Sequence, residues 1–320
     1  MSNFKEKNLS YDPLKAILKH LSLKRREQIL WRIPALKKTN SIVPYKLVSV
    51  FLSENHMKVN ENEWNIGGDE VEVNTSIRFR GDGYFFLHDI QKESGAAFSS
   101  LVDHYLKNNT NIQKLTVCVV PEFLKKKDPN CYRLNVKELR LEGPDVYQSI
   151  LPIIKHNKLE KINFTIRANN LHLLEEPFVK SSESIMLRFP YWDPIPLNNL
   201  LLNLKHKNIQ IIYFRLPIDE VEKLAVNWKE TRRPLGDSFS LGVEEYTYVL
   251  DVFDRLQERL GAIPSRIEKL GSKYLSHCVT IPICEESELV VFGGPKSLKW
   301  PPFEWTLRME VMPRGSTIAK

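Results

Sequence analysis

Four cysteines in 320 residues are too few for a disulfide framework. Cys118 and Cys131, and Cys278 and Cys284 beside His277, are each too widely spaced for the close pair that a structural zinc site needs. Buried thiols are the default reading. No apolar run approaches the ~18 residues of a membrane-spanning helix. No apolar stretch follows Met1-Ser2-Asn3-Phe4-Lys5-Glu6-Lys7 either, so neither a secretory signal nor a membrane is expected. These absences point to a reduced, cytoplasmic or nuclear protein, in which the glycosylation-type triplets at Asn74, Asn108 and Asn163 are chance. Glycine-rich phosphate loops are missing as well. Gly293-Gly294-Pro295-Lys296-Ser297 lacks the first glycine and the spacing of a P-loop, and a hairpin turn explains it better. His88 stands beside Asp89 with no G-x-S-x-G or activated cysteine to accompany it. No catalytic residue, cofactor or metal is therefore expected.

What the chain does have is charge concentrated at one end. Its first fifty residues hold eleven bases against three acids, a local +8, while the other 270 hold 35 bases against 36 acids, or −1. Within the basic stretch Leu14, Ile17, Leu18 and Leu21 recur at helical spacing, which places a small apolar face among cations. Such a pattern fits a docking helix or an ordinary solvated one. The charge alone invites nucleic acid, but no aromatic-rich RNA-binding signature supports that reading, and an ordinary solvated face or an acidic protein partner is favoured over it.

Asp12-Pro13 predicts the start of a helix over about 13–21, followed by a second over about 24–33 that Pro34 ends, and a short turn at 35–38. Residues 44–52 read as extended. Met57–Asn60 and Trp64–Ile66 read as a hairpin, and turns are expected at Gly67-Gly68-Asp69 and Gly81-Asp82-Gly83. Further on, the pattern apolar-x-x-apolar-x-apolar begins at Ile112, Val136, Leu159 and Ile209, with a degenerate copy around Ile185, Leu187 and Phe189. A helical stretch over 98–107 precedes the copies, and others over 147–155, 197–205 and 218–228 fill the gaps that follow. One strand and one helix per ~25 residues is the signature of an irregular leucine-rich-repeat-like body; a generic α/β sandwich has a similar order. After Gly236 the character changes to a long helix over 244–260, stopped by Gly261. Strands at 278–281, 289–292 and 305–312 follow, with a turn at Gly293-Gly294-Pro295 and a loose terminus from Pro313.

The segment Leu9-Ser10-Tyr11-Asp12-Pro13-Leu14-Lys15-Ala16-Ile17-Leu18-Lys19-His20-Leu21 resembles the opening of an F-box. Continued through Arg32–Lys38 and Val43–Leu47, and with the ending Trp305–Val311, the chain looks like the nematode-expanded F-box-related families, which carry a C-terminal domain of unknown function. It departs from the F-box pattern at Ser10, where proline is usual, and at Ile33-Pro34-Ala35-Leu36, where a Val-Ser-x-x-Trp stretch is usual. The resemblance implies docking on the Skp adaptor of a cullin–RING ubiquitin ligase, through Leu9, Leu14, Ile17, Leu18, Leu21, Ile29 and Leu30. A helix-in-groove contact needs anchors at such spacing, and the same leucines serve equally well as core.

The expected architecture is mixed α/β: an F-box-like helical module over 1–52, an α/β repeat-like body over 53–233, and a long helix with a small antiparallel sheet over 234–320. The expected role is that of a non-enzymatic adaptor whose body binds an unknown target protein. Tyr191, Trp192, Trp300 and Phe303 are its candidate anchors, because tryptophan and tyrosine dominate binding hot spots. A protein- or nucleic-acid-binding module without ligase association, and a hydrolase with a deep pocket, are the alternatives.

Overall fold

The computed structural model describes residues 11–67, 74–81, 84–91, 93–107, 109–126, 128, 131–143, 146–155, 159–189, 200–212, 216–267, 277–295 and 305–319. The chain divides into two compact units, Met1–Asn157 and Lys158–Lys320. Both mix helices with strands, as the sequence pattern predicts for an α/β fold.

The first unit opens with α1 (Tyr11–His20), α2 (Leu23–Arg32), a 3-10 turn at Pro34–Leu36, and α3 (Lys37–Ile42). Asp12 sits in the first turn of α1 rather than before it, where it still complements the helix dipole. The Ser22 hydroxyl accepts from the Arg25 amide at the start of α2, and Pro34 follows where that helix stops. Next come β1 (Lys46–Leu52), β2 (His56–Val59), β3 (Asn62–Gly67), β4 (Asn74–Gly81), β5 (Tyr84–Gln91), α4 (Ser94–Tyr105), β6 (Asn111–Val117), α5 (Glu122–Lys126), β7 (Asn135–Leu141) and α6 (Val146–Ile150). Strand order in this unit is β7-β6-β1-β2-β3-β4-β5. β1, β6 and β7 are parallel and the rest antiparallel. The predicted hairpin is β2–β3; the turn residues Gly68, Asp69, Asp82 and Gly83 lie outside the described residues.

In the parallel part, Val50, Leu115 and Leu139 stand in register, as do Leu52, Val117 and Leu141, and all are buried. The repeated apolar pattern thus becomes a ladder of like residues, each burying its neighbour's edge. Phe98, Val102 and Leu106 supply the buried side of α4 and its C-cap.

The second unit continues the same construction. It contains β8 (Lys161–Thr165), a 3-10 stretch at Ala168–Glu175, α7 (Pro177–Lys180), β9 (Ser184–Arg188), a 3-10 turn at Leu201–Asn203, β10 (Asn208–Ile212), α8 (Ile218–Glu230), β11 (Ser238–Val243) and α9 (Tyr246–Leu260). β12 (Ile263–Ile267), β13 (Cys278–Pro282), β14 (Ser287–Pro295), β15 (Trp305–Pro313) and β16 (Thr317–Ala319) complete it. Strand order is β16-β12-β13-β14-β15-β11-β10-β9-β8. β8 to β11 are parallel and in register, with Ile162, Ile185, Ile209 and Phe239 aligned and buried. β11 also pairs antiparallel with β15, so the antiparallel C-terminal strands continue from the last parallel strand.

Three expectations about this unit change. Gly293-Gly294-Pro295 does not turn: those residues stay in β14, paired with Leu307, Thr306 and Trp305. The terminus is not loose, because Thr317–Ala319 pairs with β12. The helix expected over 197–205 is a single 3-10 turn at Leu201–Asn203; residues 197–199 lie outside the described residues. The long helix is α9, and Gly261 caps it in the left-handed conformation at φ 65°, its amide and that of Ala262 reaching back to Gln257 and Leu256.

A candidate docking site on the N-terminal unit

Helix α2 buries Leu23, Arg26 and Leu30, an i, i+3, i+7 stripe with an arginine in the middle. Arg26 is only 2% exposed. Its guanidinium is satisfied by the chain that leaves α3. Nη1 donates to the Pro44 carbonyl at 2.9 Å, Nη2 to the carbonyls of Asn40 and Val43, and Nε to the Asn40 side chain. Lys107 adds a 2.7 Å bond to the same Asn40 carbonyl. The last carbonyls of a helix lack partners further along it, and at the end of α3 these two cations join the Val43 amide in serving Asn40, while Arg26 also serves Val43. Both lie over the Tyr45 ring, at 4.0 Å for Arg26 and 4.4 Å for Lys107. Burial depresses the Arg26 pKa, and burial next to Arg26 brings Lys107 down to about 8.

On α4, the His104 Nε2 is 3.2 Å from the Tyr45 hydroxyl, and its ring packs edge-on against Tyr105 with centroids 4.7 Å apart. Desolvation, then Lys107 and Arg26, hold its pKa at about 4, so the imidazole is neutral at physiological pH although the residue keeps an exposed edge. Tyr105 donates to Glu27 at 2.6 Å and Tyr132 donates to Asp103. Burial, then the carboxylate, raises both phenols well above their ordinary range. These contacts tie α2 and α3 to α4 and leave an open cleft of about 840 Å³ between them, walled by Leu30, Trp31, Pro34, Lys37, His104 and Lys107. Trp31 is 83% exposed at this cleft.

The anchors implied by the F-box resemblance occupy different environments. Leu18, 1% exposed, and Leu30 are interior, while Leu14, Leu21 and Ile29 are half-buried. Ile17 is 53% exposed, and Leu9 lies outside the described residues. A partner can reach Ile17, can touch Leu30 only where its edge lines the cleft, and can reach Leu18 only by opening the core. Ile33 and Ile42 are also exposed, and together with Ile17 and Trp31 they are large apolar side chains at the surface of a cationic module. Sequence reasoning missed Trp31, Ile33 and Ile42, and it missed the role of Arg26. The signal for Arg26 was present, since the spacing Leu23, Arg26, Leu30 puts it on the buried stripe. The body anchors Tyr191, Trp192, Trp300 and Phe303 all lie outside the described residues, as do Lys296 and Ser297.

Elsewhere the titratable groups have ordinary structural settings. Cys118 donates to Glu142 at 2.7 Å; burial, then that bond, pushes its thiol up to about 12. Cys278 is buried in β13, and Cys284 lies 3.0 Å from the Ser287 hydroxyl. A hollow of about 640 Å³ in the second unit borders Leu174, Leu204 and His206, with Glu175 and Lys180 paired at 2.5 Å beside it. His206 Nε2 meets the Val179 carbonyl at 2.8 Å, and burial lowers its pKa. Among the described residues no cluster of histidine, cysteine, aspartate and glutamate could hold a metal ion, and no helix is long and apolar enough to cross a membrane.

Residues 94–245 match a family described as Domain of unknown function (DUF3557). The match begins with the first residue of α4 and ends just before α9. It thus includes the α4 wall of the cleft and all of the repeated strand–helix units from β6 to β11. Neither a curated protein nor a solved structure matches the chain. The chain carries a segment similar to an uncharacterised domain, preceded by the basic helical module.

Proposed function

We propose that the protein is the substrate-receptor adaptor of a Skp–cullin–F-box ubiquitin ligase. The N-terminal helices dock on the Skp adaptor, and the α/β body holds a target protein. The observation that carries this reading is the character of α1 to α3, a compact cationic module with Ile17, Trp31, Ile33 and Ile42 at its surface. Large apolar side chains exposed on a small charged module favour association, and cations around them speed encounter with an acidic partner. The protein contributes no reacting group. Holding the target beside a ubiquitin-charged enzyme raises its effective concentration there, and transfer follows from proximity.

Ile17 is the residue to change, because its side chain is outside the core. The full-length chain is expected to bind purified Skp adaptor in a pull-down or by calorimetry. Ile17→Asp should weaken that binding at least tenfold while leaving the thermal melt unchanged, a loss of about 1.4 kcal/mol. Leu18→Ala is the contrasting variant and should lower the melt by removing core. A folded wild-type chain with no affinity for the Skp adaptor sinks the reading.

A further inference from the structure

We propose that the cleft between α2, α3 and α4 binds an acidic protein segment that inserts one large apolar side chain beside Trp31. This goes beyond the adaptor reading and does not depend on it. The cleft's volume, about 840 Å³, suits a short peptide stretch with one buried side chain. Leu30, Trp31 and Pro34 form the apolar wall. An indole left 83% exposed at such a wall is the residue type that anchors protein interfaces.

Charge decides what flanks the inserted side chain. Over residues 11–50 there are nine bases against two acids. The exposed Arg32 and Lys38 stand next in sequence to the lining residues Trp31 and Lys37. The two carboxylates that line the cleft, Glu27 and Asp103, each accept from a tyrosine hydroxyl and keep their charge, which offsets the lining lysines Lys37 and Lys107. The positive excess is that of the module around the cleft, so an approaching segment meets a cationic surface and, inside it, the apolar wall of Leu30, Trp31 and Pro34, which fits carboxylates on either side of an apolar residue.

The cations packed behind and beside the cleft argue against a buried phosphate. Arg26 directs its donors to the Asn40 side chain and three carbonyls, and Lys107 bonds the Asn40 carbonyl, so both cations already cap α3. His104 is neutral there. What the cleft offers an inserted side chain is the apolar wall of Leu30, Trp31 and Pro34. Such a wall favours a peptide over a nucleic-acid strand, whose phosphates would need several cations in a row.

The test is selection of a displayed library of short linear peptides on the full-length chain, followed by affinity measurements with the winning peptide. Peptides with aspartate or glutamate around a leucine or an aromatic residue should be enriched. Trp31→Ala should weaken the winner at least tenfold without moving the thermal melt. Lys37→Glu should weaken it too, and repeating the selection on that variant should lower the acidity of the peptides recovered. The proposal is overturned by enrichment with no acidic bias, or by a winner indifferent to both substitutions. Tighter binding of a single-stranded polyuridine oligonucleotide that displaces the peptide overturns it as well, in favour of nucleic acid.

Discussion

Arg26 shows how one residue can organise a module. A buried guanidinium is costly unless its hydrogen-bonding capacity is met, and here it is met by groups that are themselves in need of donors. The carbonyls of Asn40, Val43 and Pro44 lie where α3 ends and the chain turns toward β1. Removing the guanidinium leaves the Asn40 carbonyl with Lys107 and the Val43 amide but takes the Arg26 donor from the carbonyls of Val43 and Pro44. Arg26→Met, which keeps the apolar stem, is therefore expected to destabilise the first unit by about 2–4 kcal/mol. Arg26→Lys should recover only part of this, since one ammonium cannot reproduce a planar fork. Urea unfolding followed by circular dichroism measures both. A change below ~0.5 kcal/mol for the methionine variant would show that the α3 carbonyls find other donors.

Gly293 makes the corresponding case for an element. Helix α9 packs on the antiparallel strands of the second unit, and it does so closely enough that a Cβ built on Gly293 would lie 2.6 Å from Val249 Cγ1. Glycine is required by that contact, not by a turn. Gly293→Ala should cost roughly 1–3 kcal/mol through overpacking, and Val249→Ala in the same chain should return part of the loss. A double-mutant cycle on thermal or urea stability reads the coupling; additive losses would mean that α9 does not rest on this strand. The same residue explains a limit of sequence reading. A Gly-Gly-Pro run is a local turn signal, and only the tertiary neighbour Val249 reveals why glycine stands in a continuous strand. Elements with strong periodicity were legible: α9, with its glycine stop, and the apolar repeats that became the aligned ladders of β6–β7 and β8–β10. β12 and β16 were not, since Ile-Pro-Ser-Arg-Ile and Thr-Ile-Ala are short and show no alternation. The cleft was half legible. The basic module and its apolar stripe could be read along α1 and α2, but its other wall, α4, joins it through Tyr105–Glu27 and Tyr45–His104, contacts distant in sequence.

For the molecule as a whole, net charge is a property of one end. The first fifty residues carry +8 and the rest of the chain −1, so the field that an approaching partner feels originates in the helical module. Long-range attraction of this kind acts on encounter more than on the lifetime of a complex, and salt screens it within about 10 Å at 0.1 M. Association with an acidic partner, whether the Skp adaptor or the peptide proposed for the cleft, should therefore slow several-fold between about 50 and 200 mM salt. Dissociation should barely change, because Ile17 and Trp31 hold the contact by apolar burial. Lys24→Glu with Arg25→Glu, both exposed on α2, should lower the association rate further and flatten its salt dependence. Surface-based kinetics at three salt concentrations separate the two rates. If salt instead raised the dissociation rate while association stayed constant, the bases would be part of the contact itself, and the apolar anchors would not be what holds the partner.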